Sequence, residues 1–159
     1  VRDPSKVYLG TSTENFSTSI PGTRIDDQIE TDGAIAGVNA GAFFDNGTSD
    51  PSVGSVPEGL VYSKGVCKWT TGSPPNGIKG FAGFNKDNIL VVAQDNLSKA
   101  QAEELNIRDG CCFGPVLIMN GEINQEAYNS NSGWNPRTAI GQRKDGAVVV
   151  VCIDGRRHL

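Results

Sequence analysis

The chain has 159 residues, a length that suits one domain with a buried core. Its formal net charge is −4 and its 14 Lys and Arg residues are scattered, so we expect no binding of nucleic acid, which requires clustered basic surface. No apolar run approaches the length that crosses a bilayer, and the sequence therefore predicts no membrane span in this chain.

In chain order, 20 Gly and 8 Pro residues separate short runs rich in Val and Ile, a pattern typical of many short strands joined by turns. We predict strands at residues 7–10, 34–39, 59–63, 66–69, 80–85, 88–93, 112–119, 138–142 and 147–153. The predicted fold class is α+β, with an antiparallel or mixed β-sheet core and few helices.

Two helices and two hairpin turns complete this prediction. One helix covers residues 23–31, with Thr23 as its N-cap, and the other covers residues 98–105, where Ser98 and Gln101 have capping-box spacing. Turns are predicted at residues 86–87 and 144–146, because the Asp-Gly step of the second supplies the positive φ that tight turns require.

The cysteines predict neither a metal site nor a cofactor. Cys67, Cys111, Cys112 and Cys152 lack CxxC spacing, and His158 is the single histidine. Cys112 and Cys152 lie in apolar strand-like runs, where a buried free thiol is the commoner state; one disulfide is the alternative.

The first segment with chemical potential covers residues 37–45. Its small residues admit a ligand close to the backbone, Phe44 can line a sugar pocket, and Asn39 and Asp45 can bind hydroxyl groups. The pattern alone favours a simpler interpretation, in which the Phe residues fill the core and residues 45–47 form a turn. The long polar loop over residues 45–58 has a composition typical of functional or mobile loops.

The second segment covers residues 113–121. Its Gly114-Pro115 step opens an apolar run that Asn120-Gly121 closes, and Asn-Gly predicts a tight turn. Gly114 and Pro115 are also candidates for the rim of a pocket.

The third segment covers residues 135–157, NPRTAIGQRKDGAVVVVCIDGRR. Arg137 begins one predicted strand, and Asp154 and Arg156 follow the end of the next, so carboxylate and guanidinium groups can converge on a cleft. The planar guanidinium of Arg holds a phosphate through two parallel charge-assisted hydrogen bonds. An ion pair between Arg137 and Asp154 with a structural role is an equal alternative.

Taken together and in order, the three segments resemble the phosphodiester glycosidase domain, the family of the lysosomal uncovering enzyme. The resemblance covers roughly residues 30 to 159 and rests on G-V-N-A-G-A-F-F-D, G-P-V-L-I-M-N-G and R-T-A-I-G followed by D-G. Such domains continue into an Asp-Gly-Gly-Gly-Ser motif, so we expect a single domain over residues 1–159 that is incomplete at its C-terminus, with a separate C-terminal fragment as a partner and doubtful activity in isolation.

The resemblance implies a hydrolase that acts on a carbohydrate or phosphosugar substrate. It implies catalytic roles for Arg137 and Asp154, and substrate-binding roles for Asn39, Phe44, Asp45, Gly114 and Arg156. We expect a bacterial protein, extracellular or associated with the cell wall, that acts on cell-wall or exopolysaccharide linkages. The alternative is a non-catalytic carbohydrate- or cell-wall-binding module with the same fold.

Overall fold

The described part of the chain is organised around a five-stranded antiparallel sheet. In the computed structural model, the residues described are 1–17, 19–43, 56–71, 79–129, 133 and 135–155. The sheet contains β1 (Leu60–Ser63), β2 (Val66–Thr70), β3 (Phe81–Asn85), β4 (Leu90–Ala93) and β5 (Ile107–Cys112). Their order is β2-β1-β5-β3-β4, so the strand that comes last in the sequence lies at the centre.

Two separate hairpins and three short helices complete the described elements. One hairpin joins β6 (Ile118–Met119) to β7 (Glu122–Ile123), and the other joins β8 (Arg137–Gln142) to β9 (Val148–Ile153). The helices are α1 (Ile25–Thr31), α2 (Lys99–Glu104) and α3 (Gln125–Asn129), preceded by one 3-10 turn at Pro4–Lys6. The fold is therefore α+β, as the sequence predicts.

The core lies between the sheet and α2. Buried residues of β1, β3 and β5 pack against one residue of the helix; the cluster comprises Leu60, Tyr62, Phe81, Ala102 and Ile107. Ala102 is fully buried, and the small side chain lets the helix approach the sheet closely. Burial of this apolar surface is the main favourable contribution to folding.

The predictions of the capping box at Ser98 and of three turns are confirmed. Ser98 and Gln101 form a capping box at the start of α2. The turn at residues 86–87 joins β3 to β4, and the turn at residues 144–146 joins β8 to β9, with Gly146 at φ +85°. Asn120-Gly121 closes the β6–β7 hairpin with both residues at positive φ.

The prediction of one strand over residues 112–119 is wrong. Strand β5 ends at Cys112, the chain then passes through the cis Gly114–Pro115 peptide, and β6 contains two residues. The central strand β5 was not predicted, because Arg108, Asp109 and Gly110 interrupt its apolar pattern. Tertiary contacts satisfy those charges, as described below.

The strands predicted at residues 7–10 and 34–39 are also absent. Leu9 is bonded to side chains instead: its N–H donates to Asp109 Oδ1 (3.3 Å), and its carbonyl accepts from Ser63 Oγ (2.8 Å). Ile35 is fully exposed and no described strand pairs with its segment. The helix predicted over residues 23–31 is present as Ile25–Thr31, and its N-cap is Arg24 rather than Thr23, without a side-chain cap bond.

The β8–β9 hairpin is attached to the sheet at its turn end. Gln142 Oε1 accepts from the Leu90 N–H (2.7 Å), and its Nε2 donates to the carbonyls of Asn88 and Gly146. Val1 pairs with Val148 through bonds in both directions, at 2.7 and 2.8 Å. Among the described residues, no helix has the length and apolar character needed to cross a membrane.

Candidate active site

The segment around Asn39 meets the sheet where β5 ends and β1 begins. The Ala42 N–H donates to the carbonyl of Cys112 (3.1 Å), and the Ala42 carbonyl accepts from the Glu58 N–H (2.9 Å). Phe43 pairs with Pro57 in an isolated bridge and remains 49% exposed, so this phenylalanine does not fill the core. Asn39, three residues earlier, is exposed and free of strand pairing.

Gly114 lies at the same end of the sheet, two residues after β5. The Phe113 N–H donates to the Gly80 carbonyl (3.1 Å), and a Cβ atom at position 114 would overlap the carbonyl oxygen of Lys79. Backbone crowding therefore explains why position 114 is a glycine. Gly114 is exposed, as a residue at the rim of a pocket would be. The structure thus places Gly114 at the same end of the sheet as Ala42, which follows Asn39 by three residues.

Arg137 and Asp154 form a second group at the open end of the β8–β9 hairpin. Arg137 faces Ile153 in the register, so Asp154 is the next residue along the opposite strand, and both residues are exposed. Arg137 donates to the carbonyl of Pro136 (3.0 Å). Within the described ranges no ion pair joins Arg137 to Asp154.

We call Asn39 and Gly114 the Asn39 group, and Arg137 and Asp154 the Arg137 group. No hydrogen bond or ion pair between described residues joins the two groups. One group lies at the end of the five-stranded sheet, and the other lies at the hairpin end remote from Gln142. Three further predicted site residues, Phe44, Asp45 and Arg156, lie outside the described residues. Most of the loop predicted over residues 45–58 also lies outside them.

Glu58 is a candidate functional residue that sequence reasoning did not single out. It precedes β1, its backbone is bonded to Ala42, and its side chain is 2% exposed. A buried carboxylate beside a proposed sugar-binding segment is a feature of many catalytic sites. Its signal in the sequence is weak, because an acidic residue between a polar loop and an apolar strand is typical of ordinary surface positions.

The cysteines near Glu58 are held in the neutral thiol form. Burial raises the pKa of Cys111 to about 12, with a smaller effect from neighbouring Cys112. Burial raises the pKa of Cys112 to about 11, and the charge of Glu58 adds to the shift. All four cysteines are free, which agrees with the preference for structural thiols, but Cys152 is exposed and its predicted burial is wrong.

Alkylation with iodoacetamide at pH 8 should therefore modify Cys152 and leave Cys111 and Cys112 unmodified until the protein unfolds, because the thiolate is the reactive species. Peptide mapping by mass spectrometry measures this difference. Rapid modification of Cys111 in the folded protein at pH 8 would contradict the burial.

The raised pKa values of Cys111 and Cys112 also predict how stability depends on pH. Since both pKa values are raised above the ordinary 9.0, the two thiols stabilise the fold fully below pH 9 and lose that contribution as the pH rises towards 11 to 12.

These features define an α+β domain whose polar groups gather at strand ends, which is where binding and catalytic residues commonly lie. The sequence profile of the phosphodiester glycosidase family matches residues 32–159, and the chain belongs to that family. A comparison with curated proteins finds no match. Family membership assigns the domain to the glycosidases and gives it a carbohydrate substrate class.

Proposed function

We propose that this domain hydrolyses a sugar-1-phosphodiester or a related glycosidic linkage in a glycan. The observation that carries the proposal is the placement of Arg137 and Asp154 at neighbouring register positions, both exposed, at one end of a hairpin inside the family-matched region. A guanidinium beside a carboxylate offers phosphate binding and proton transfer in one place.

The chemistry of the leaving group supports this assignment of roles. Cleavage between the anomeric carbon and the phosphate oxygen releases a phosphate monoester, which is anionic and weakly basic. It needs less protonation than an alcohol, so the usual requirement for a carboxylic acid with a raised pKa is relaxed. Stabilisation of the developing negative charge becomes the more valuable contribution.

Arg137 supplies that stabilisation in our proposal, with Arg156 as a second phosphate ligand. Asp154 acts as the acid and base, or stabilises the positive charge that develops at the anomeric carbon. Water adds to that carbon as the bond to phosphate breaks, and the proton of the water passes to a carboxylate.

The sugar would be held by the segment around Asn39. Asn39 and Asp45 bind hydroxyl groups, Phe44 lines the pocket and Gly114 contributes to its rim. Glu58 supplies a buried carboxylate next to this segment. Closure of the site then requires the Arg137 and Asn39 groups to face the same substrate.

We further propose that the substrate is a bacterial cell-wall or exopolysaccharide linkage, and that the protein acts outside the cell or at the wall. The free state of all four cysteines supports the bacterial part of this proposal. Small extracellular modules of animals commonly depend on a disulfide framework, and this chain has none.

Replacement of Arg137 by Ala tests the proposal. With a methyl ester of N-acetylglucosamine-1-phosphate as substrate, ³¹P NMR should detect methyl phosphate release by the wild-type chain. We expect Arg137→Ala to lower kcat/KM by roughly 100-fold or more, the scale seen when one charge-stabilising donor is lost. Arg143→Ala is the matched control, because Arg143 lies at the opposite end of the same hairpin and pairs with exposed Asp145 (2.8 Å).

Near-normal turnover by Arg137→Ala, with an unchanged unfolding curve, would overturn its assignment. The second candidate function is a carbohydrate-binding module without turnover. Phe43, which follows Asn39 closely in the sequence and is 49% exposed, favours it, because an exposed aromatic ring can stack on a sugar face without any bond cleavage. Calorimetric binding of the phosphosugar without release of methyl phosphate would establish that alternative.

A further inference from the structure

A polar groove lies between residues 11–14 and α1, on the N-terminal side of the family-matched region. Its volume is about 320 Å³, at the small end of the range for ligand pockets. Four threonines and a serine contribute hydroxyl groups to its wall, and Glu14, Gln28 and Asp32 contribute the larger polar groups. Every lining side chain is polar, so a ligand in this groove would be held by hydrogen bonds.

The groove is formed by a backbone bond between its two walls. The Thr23 N–H donates to the Ser12 carbonyl (2.7 Å), which fixes residues 11–14 beside the beginning of α1. At the other end, Asp32 is the C-cap of the helix, and the last turn contains no basic residue. A carboxylate beside the carbonyl end of a helix is electrostatically unfavourable, so this end of the groove has an excess of hydrogen-bond acceptors.

Gln28 places a donor next to these acceptors. Its Nε2 atom is buried and has no hydrogen-bond acceptor among the described residues. The Gln28 and Asp32 side chains lie together against Gly10, since a Cβ atom there would be 3.8 Å from Gln28 Oε1 and 3.6 Å from Asp32 Oδ2. The terminal torsion of Gln is soft, so the amide can turn towards the groove.

The combination of carboxylate acceptors with an amide donor determines which class of ligand the groove can bind. An anion would be repelled by Asp32 and Glu14. The described residues also contain no group of three or more His, Cys, Asp or Glu side chains placed to hold a metal. A neutral polyol can donate hydroxyl protons to the carboxylates and accept from the amide, which satisfies both kinds of group.

We propose that this groove binds a neutral saccharide. None of the residues that line the groove belongs to the Arg137 or Asn39 groups, so the proposal does not depend on the proposed hydrolysis. It would hold a glycan through a sugar unit that takes no part in bond cleavage.

NMR titration of the ¹⁵N-labelled chain tests the site, with neutral mono- and disaccharides of glucose, galactose and N-acetylglucosamine as probes. At millimolar concentrations we expect shifts at residues 11–14, at α1 and at the Gln28 side-chain amide with at least one probe. Calcium chloride and sodium phosphate, titrated separately, should cause no shifts there. Gln28→Met should weaken saccharide binding by about tenfold, as loss of a ligand hydrogen bond implies.

Two further variants make the test specific. Asp32→Asn should also weaken binding, whereas Glu30→Gln, an exposed change on the same helix outside the groove, should not. Turnover of the small phosphodiester should be equal in wild type and Gln28→Met, or absent from both if the proposed hydrolysis fails. No saccharide shift at the groove, a response to calcium alone, or equal binding by Gln28→Met would overturn the proposal.

Discussion

Gly110→Ala should destabilise the domain by about 3 kcal/mol or more, because the new methyl group has no space. Gly110 lies in the central strand β5 and faces Gly83 of β3. A Cβ atom at position 110 would be 2.5 Å from Phe81 Cζ, 2.8 Å from Gly83 Cα and 3.0 Å from the Ala82 carbonyl oxygen. Phe81 is fully buried across this glycine pair, so its ring cannot move aside without disturbing the core.

Gly141→Ala is the matched control for this substitution. Gly141 also lies within a strand, has no positive φ, and has no atom within 4 Å of an added Cβ. Alanine there should leave the stability unchanged or raise it slightly, since it restricts the unfolded chain. Urea unfolding followed by circular dichroism measures both variants, and equal stabilities would show that the Gly83–Gly110 contact is not as close as described.

Asp109→Ala should cost about 3 kcal/mol and release the N-terminal segment from the sheet. The Asp109 side chain is 3% exposed, and its oxygens accept from Arg108 (2.6 Å) and from the backbone N–H of Lys64 (2.9 Å) and Leu9 (3.3 Å). Arg108 in turn donates to the Val7 carbonyl (3.0 Å). Alanine would leave a partly buried guanidinium and two backbone donors without their acceptor.

Asp145→Ala is the control for loss of an ion pair, because Asp145 pairs with Arg143 at 2.8 Å while both side chains remain more than half exposed. Such pairs contribute about 0 to 1 kcal/mol. Limited proteolysis provides a second measurement, since cleavage within the first ten residues should accelerate in Asp109→Ala and not in the control. Equal unfolding free energies for the two variants would mean that Asp109 does not anchor the segment.

Sequence patterns were informative where the cause of the structure is local. The capping box of Ser98 and Gln101 needs four neighbouring residues, and the turn at residues 144–146 needs one glycine at positive φ. The β3–β4 and β8–β9 hairpins follow from such turns and from runs of β-branched residues. Family membership could likewise be inferred, because three motifs in the correct order are a property of the sequence.

The central strand shows where such inference fails. Arg108 and Asp109 are unsuited to a buried strand by composition, and they are accommodated because residues 7–9 and 64 supply partners distant in sequence. The apolar run after Cys112 looked more like a strand, yet it leaves the sheet beside Lys79 and Gly80. Burial of a charge and departure from a sheet both depend on which segments meet.

The candidate site also has features that the sequence predicts and features that only the tertiary structure determines. The sequence was sufficient to infer the phosphodiester glycosidase family and the residue types that suit a phosphosugar, because side-chain chemistry and motif order are properties of the sequence. Tertiary structure decided that Ala42 and Gly114 lie at one end of the sheet, that Arg137 and Asp154 lie at the end of a hairpin, and that Glu58 is buried. The groove beside α1 also required the structure, since its walls come from segments that meet through a backbone hydrogen bond.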